Sequence, residues 1–279
     1  MAKQYYYLVS GLDNIYFNQE KEVPDPKEFF HSYQSEISTE HLDILKSFFL
    51  TFDNINLINK LTKKDMPFAD NGLFSEEELE SGIKYHENMP SYMIAFIQAY
   101  QSEKRLNPQL SLDDELAALF HEHIKNIKNP FLTSWFEFEQ NLNNVLTGLN
   151  CRKFDLDVKK SIIGSNDAAE LLRKSSAPDF GLSFQLTWFD QVRELFQDSN
   201  LKEMENGLDL IRWNYLDEIL AFHYFSIENI FAYLVRLSIL KRWQKLTTQA
   251  GQSQWQNLIE NIENKLTFDE QFALGGRKE

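Results

Sequence analysis

The sequence predicts an all-α, multi-helix protein, on three observations. Chain breakers are scarce, with 10 Gly and 7 Pro among 279 residues, about half the usual combined share. Leu, Glu, Lys, Asn and Gln are plentiful, and most of these favour helix. Apolar residues recur at helical spacing, and no segment keeps a convincing strand alternation. Apolar residues make up 43% and charged residues 25%, an ordinary globular balance. A chain of this length buries a core without staples and forms one or two domains. We read a single helical domain over residues 1–272 and a disordered tail over 273–279.

The elements follow in order. Tyr5-Tyr6-Tyr7-Leu8-Val9 is the best strand candidate, with a turn at Gly11; five residues do not decide helix against strand. Pro24 and Pro26 close this aromatic piece. Residues 27–66 read as two helices parted around Ser38 and Thr39. Ser75-Glu76-Glu77-Glu78 is a capping box opening a helix over 76–88, and Ser111-Leu112-Asp113-Asp114 plays the same part for 112–128. A long helical stretch begins near Phe131, is broken near Gly148 and Gly164, and ends at Pro178. Asp179-Phe180-Gly181 reads as a turn, with Phe180 as anchor and Gly181 at positive φ.

The strongest periodicity spans 203–246. Trp213, Leu216, Ile219, Leu220 and His223 fall on one helical face, with His223 read as a packed core histidine. Ser226 is an N-cap candidate. Residues 230–240 are apolar almost all round, which predicts a helix buried on most sides. Arg236, Lys241, Arg242 and Lys245 crowd its C-terminal half. They suit the negative end of the helix; the functional alternative is a docking patch for an acidic partner.

One short pattern occurs three times, beginning at Phe52-Asp53-Asn54-Ile55, Phe138-Glu139-Gln140-Asn141 and Ile227-Glu228-Asn229-Ile230. The acids Asp53, Glu139 and Glu228 are 86 and 89 residues apart. Two readings stand. Either an acid in a first helical turn is favoured by the dipole, or the chain holds three related bundles starting near 50, 136 and 225.

Recognisable catalytic motifs are absent. No Gly precedes a Lys, so there is no Walker A loop, and H-E-x-x-H, G-x-S-x-G and C-x-x-C do not occur. His121 and His123 point to opposite sides of a helix and do not grip one metal. Asp217 and Glu218 are adjacent and diverge, so they make a poor carboxylate dyad. The lone Cys151 forms no internal disulfide and no thiolate cluster. These features point to a non-enzyme with no cofactor and no metal. The formal charge is −14, which argues against nucleic acid and against direct adhesion to anionic lipid. The longest uncharged stretch, 88–102, contains Pro90 and is too short to span a bilayer.

Particular stretches carry a resemblance. They are Ser134-Trp135-Phe136-Glu137-Phe138-Glu139-Gln140-Asn141-Leu142-Asn143-Asn144 with Cys151-Arg152-Lys153 and Ile162-Ile163-Gly164, and Leu210-Ile211-Arg212-Trp213-Asn214-Tyr215-Leu216-Asp217-Glu218 with His223-Tyr224-Phe225 and Leu240-Lys241-Arg242-Trp243. With the opening Tyr5 to Leu12, they resemble an uncharacterised bacterial family, best represented in Bacteroidetes. Its genes lie among those of the V-type (archaeal-type) ATPase. The resemblance runs from about residue 4 to residue 262. Separately, Glu139 to Gly164 is similar to the repeat of the C-type (also called d-type) subunits of V-type ATPases. The other two units match that repeat only over their first six or seven residues.

Those C-type subunits are all-helical funnels of three related bundles that sit on the rotor ring and receive the axle. The resemblance therefore implies a non-catalytic central-stalk adaptor whose partners are the rotor ring and the axle. Its location would be cytoplasmic, peripheral to the inner membrane through the complex, without membrane insertion. A stator or regulatory subunit of the same complex is the alternative. From other classes come a helical enzyme with a dispersed site and a free helical scaffold. Asp53, Glu139, Glu228, Arg236, Lys241 and Arg242 are the candidate interface residues.

Overall fold

The computed structural model describes residues 4–197 and 200–247. The proposed boundary at 272 and the tail 273–279 lie outside the described residues. Those described are helical, with no strand among them. The chain opens with α1 (Tyr6–Ser10), so the tyrosine-rich start is a helical turn rather than a strand, and Gly11 closes it. In α2 (Pro26–Tyr33) the Asp25 side chain accepts from the Lys27 N–H, and Pro26 fills the first turn. A single 3₁₀ turn, Gln34–Glu36, separates it from α3 (Thr39–Thr62). Residues 27–66 thus form two helices, with Ser38 at the start of the second.

The capping box at Ser75 is complete and opens α4 (Glu76–Tyr85). The helix stops at His86, in left-handed conformation, short of residue 88. Next come α5 (Ser91–Gln101) and α6 (Leu112–Asn126), the latter capped by Ser111, which accepts from the Asp114 N–H. Asn129 and Pro130 then start α7 (Pro130–Lys153). This helix runs unbroken through Gly148, where a sequence reading places a break. A Cβ on Gly148 would lie 3.0 Å from Leu172 and 3.2 Å from Phe180, so the glycine permits close packing and does not interrupt the helix.

Short helices α8 (Val158–Ser161) and α9 (Asp167–Lys174) pack back onto α7. The turn at Asp179 forms as expected: Phe180 is buried, Gly181 has φ +78, and the Asp179 carboxylate accepts from the Gly181 N–H. It leads to α10 (Phe189–Gln197), α11 (Leu201–Ile219) and α12 (Ile227–Thr247). Because α11 ends at Ile219, His223 lies in the connecting turn. Its half-buried ring rests 5.5 Å from the Phe131 ring, at the edge of the core rather than within it.

Five long helices contact one another in a closed order: α3 with α6, α6 with α7, α7 with α11, α11 with α12, and α12 with α3. α12 lies deepest. From Ile230 to Leu240 only Arg236 and Ser238 are not buried, as its all-round apolar sequence requires. Phe231 is the aromatic hub, within 6.5 Å of the Phe48, Phe131, Trp135 and Phe136 rings. Edge-on ring packing of this kind accounts for much of the phenylalanine in the described core.

Two connecting loops are pinned by side chains in the middle of long helices. Asn56 on α3 bonds both the C=O and the N–H of Ala69, each at 2.9 Å. Asn144 on α7 does the same to Ile163, at 2.8 and 3.1 Å. Each loop then leads through an N-cap, Ser75 or Asn166, into a short helix.

Candidate functional site

The ring of five helices surrounds an elongated cavity of about 500 Å³. Its apolar lining comes from Phe48, Phe120, Trp135, Phe136, Val235 and Ile239, all buried. Exposed Ile55, Asp113 and Asn143 mark its open rim on α3, α6 and α7. A smaller cavity of about 230 Å³ adjoins it across the seam between α3 and α12, sharing Phe48, Phe52, Ser238 and Arg242.

A charged network joins α7, α11 and α12 along one wall. The Arg212 guanidinium donates to Glu139 at 2.9 Å and to Asp209 at 3.2 Å. Asp209 is buried, and it also accepts from Arg242 and from the Trp243 indole N–H. Glu205 lies 3.6 Å from Arg242. Burial works against the charge on Arg212, but the Glu139 and Asp209 carboxylates overcome it and raise its pKa. His121, on the opposite wall, is driven by burial to a pKa of about 4, with help from Lys125, and is neutral at physiological pH.

The six candidate interface residues fall in different places. Glu139 and Arg242 lie in this network and line the cavity. Asp53 is wholly buried and accepts from the Leu73 and Phe74 N–H groups at 2.9 and 3.2 Å. Its place is inside the fold. Burial lifts its pKa to about 6, against the lowering effect of those two hydrogen bonds. Glu228 accepts from the Asn129 amide at 2.9 Å, tying the start of α12 to the start of α7. Arg236 donates to Asp217 at 2.5 Å and lies over the Trp213 ring. Lys241 donates to Glu22 and to the Val23 carbonyl. The basic cluster on α12 is thus committed largely to internal ties.

The expectation that all three acids open helices needs correction. Glu228 is in the first turn of α12, but Asp53 and Glu139 are mid-helix, because Ser38 and Asn129 begin α3 and α7 much earlier. The dipole argument applies to Glu228 alone. The residues with matching roles are Asn56 and Asn144, 88 residues apart. That register differs by two from the one the acids suggest.

Sequence reasoning missed Glu205, Asp209 and Arg212 as a group. Their signal is present: positions i, i+4 and i+7 form a polar stripe on one face of α11. Among the described residues no group of three or more His, Cys, Asp or Glu is arranged to hold a metal.

A family model described as a protein of unknown function, DUF2764, matches residues 1–266. The chain belongs to that family. No curated protein and no solved structure matches it. Within this DUF2764 member the five-helix cavity is the site that geometry singles out. It is concave, mostly apolar, and carries a few convergent charged groups. No helix among the described residues is long and apolar enough to cross a membrane.

Proposed function

We propose that this chain is a non-catalytic member of a V-type (archaeal-type) ion-translocating ATPase, the central-stalk adaptor that couples the rotor ring to the axle. The sequence resemblance supplies the complex. The observation that carries the role is the closed ring of five long helices around an elongated, open cavity. A part that transmits torque must resist shear between its elements. Here the helices are cross-tied in several places: Glu139–Arg212 links α7 to α11, while Arg242–Asp209 and Arg236–Asp217 link α11 to α12. The aromatic hub at Phe231 reaches α3, α7 and α12 together. Such a body holds two partners at once, so its combined interfaces should exceed a standard one.

The test is capture of the tagged, full-length protein from solubilised membranes of its source, with quantitative mass spectrometry of the proteins that accompany it. Rotor and axle subunits with one copy of this chain per complex support the adaptor. Two or more copies, or mainly peripheral-stalk subunits, turn the reading to the stator. No ATPase subunit overturns it.

A second reading, a helical enzyme with a dispersed site, draws on the same cavity. There the neutral His121 imidazole shares a pocket with the Arg212 network. Its support would be a turnover reaction abolished by His121→Ala in a variant that still folds.

A further inference from the structure

Two stretches without formal charge meet beside the start of α7. Residues 4–12 hold no Asp, Glu, Lys or Arg, and neither do residues 219–227. They are joined directly. The Tyr5 N–H donates to the Phe225 carbonyl at 2.6 Å, and the Tyr6 and Phe225 rings lie 4.8 Å apart. Behind this junction His223 packs on Phe131, in the first turn of α7, and faces Glu228 at 3.6 Å.

Around the junction large aromatic side chains face outward. Phe222 is 92% exposed, Tyr7 90%, Tyr224 69% and Tyr6 56%. None is more than three residues from Tyr5 or Phe225, so each Cα lies within about 11 Å of one of those two. At about 200 Å² per ring, the exposed share is roughly 600 Å². That is the upper end of what a monomer ordinarily leaves as one patch.

The chemistry of the patch selects its occupant. Side chains as exposed as Phe222 and Tyr7 have almost no neighbour, so they project as separate wedges, which a soft surface accepts without a matching pocket. Three of the four are tyrosines, whose ring and hydroxyl suit the level where a bilayer passes from hydrocarbon to headgroup. Formal charge, costly at that depth, is kept out of both stretches in a chain that is 25% charged. Exposed Glu218, one turn before Phe222, and the overall charge of −14 oppose anionic headgroups but not neutral ones.

We infer that this aromatic end rests on the interface of a lipid bilayer, with Phe222 and Tyr7 entering the headgroup layer and neutral lipid preferred over anionic. The contact lies on the membrane and does not span it. The inference rests on the adaptor reading for what holds this end near a membrane, and on the patch alone for the lipid. It goes beyond the resemblance, which implies no part of the chain in the bilayer. Four side chains alone give weak, reversible binding, and attachment to a membrane complex raises the lipid concentration they meet.

The experiment sediments the full-length protein with sucrose-loaded phosphatidylcholine vesicles at millimolar lipid. Wild type should co-sediment in proportion to lipid. The double variant Tyr7→Ser, Phe222→Ser should lower the partition coefficient about fivefold or more. Phe222→Trp should keep it or raise it. Circular dichroism checks that the double variant folds, and Phe222→Ser alone carries the comparison where it does not. Phe184→Ser is the control. Phe184 is 99% exposed, but it follows Phe180, which packs on Gly148, about 25 Å along α7 from Phe131. That variant should bind like wild type. Replacing part of the lipid by phosphatidylglycerol should weaken binding, and raised salt should restore it.

No co-sedimentation of wild type overturns the inference. So does equal binding by wild type and the serine variants, or an equal loss in Phe184→Ser. Binding that needs phosphatidylglycerol and disappears with salt overturns it as well, because the attraction would then be general charge. A wild-type dimer that the double variant splits does the same, since a second copy would cover the patch. The two proposals fail separately. Capture of rotor and axle subunits without vesicle binding keeps the adaptor and removes the lipid contact. Vesicle binding without ATPase subunits does the reverse.

Discussion

Asn56 on α3 and Asn144 on α7 hold the chain that returns past them in the same way, each bonded to both backbone groups of one residue. Their surroundings differ. The Asn144 bonds to Ile163 are buried, and the neighbouring helix positions are neutral: Gln140 lies against Gly164, and Asn141 accepts from Asn166. The Asn56 bonds to Ala69 are only partly buried. Beside them the loop is held a second time by a buried carboxylate, Asp53, which takes two backbone N–H groups. One loop is therefore fixed at Ile163 by buried neutral bonds, with the Arg173 guanidinium donating to the carbonyls of Ile162 and Gly164 on either side. The other is fixed partly by a charge whose protonation depends on pH. A carboxylate satisfies two donors at once, but burial disfavours its charged form.

The largest expected effect is at the buried loop. Asn144→Ala strands the N–H and C=O of Ile163 away from water and should cost about 4 kcal/mol in urea denaturation. Asn56→Ala should cost about half as much, near 2 kcal/mol, because water reaches the partly exposed Ala69. Equal losses at the two sites would remove the contrast.

Asp53 sharpens the comparison through pH. Its folded pKa of about 6 lies above the usual 3.8. The folded state therefore holds this proton more tightly than the unfolded chain does. The resulting stability is fully present below the unfolded value and is lost as pH rises through the folded one. From about pH 8 to about pH 5, wild type should gain about 1.5 kcal/mol relative to Asp53→Asn. Taking the difference between these two proteins removes His121. That residue works in the opposite direction, since its depressed pKa makes its contribution fade as pH falls below about 6.5. The corresponding difference between wild type and Asn141→Asp should fall with acid only if burial there, too, disfavours the charged form of the carboxylate.

Gly164→Ala should show the smallest effect, about 1 kcal/mol. The residue has φ +84, and a Cβ would meet only the movable end of Gln140, at 2.8 Å. Gly72 is tighter: a Cβ there would lie 2.0 Å from the Asp53 carboxylate. Gly72→Ala should therefore destabilise more than Gly164→Ala, although Gly72 needs no unusual backbone.

Features settled within one turn of chain were legible in the sequence. Ser75 with Glu78, Ser111 with the Asp114 N–H, and the Asp179–Gly181 turn all depend on neighbours three residues away or fewer. The buried helix over 230–240 was equally plain, because its composition leaves no polar face. Features that depend on distant chain were not. Whether Tyr6–Ser10 is strand or helix turns on its docking against Phe225, to whose carbonyl the Tyr5 N–H bonds. The Glu139–Arg212 pair spans 73 residues and Asp209–Arg242 spans 33, so no local pattern reports that they meet. The repeated acids drew attention to α3 and α7, but the matching function belongs to the asparagines. An amide bonds both a donor and an acceptor of one residue, which a carboxylate does not.

The most direct test of the proposed adaptor role asks which proteins touch the cavity rim. A photo-cross-linking side chain placed at Ile55, in the full-length protein expressed in its source and captured from solubilised membranes, reads this out by mass spectrometry. The account predicts cross-links from position 55 to a rotor or axle subunit of the ATPase, with one copy of this chain per complex. Cross-links only to peripheral-stalk subunits, or to no ATPase subunit, would contradict it.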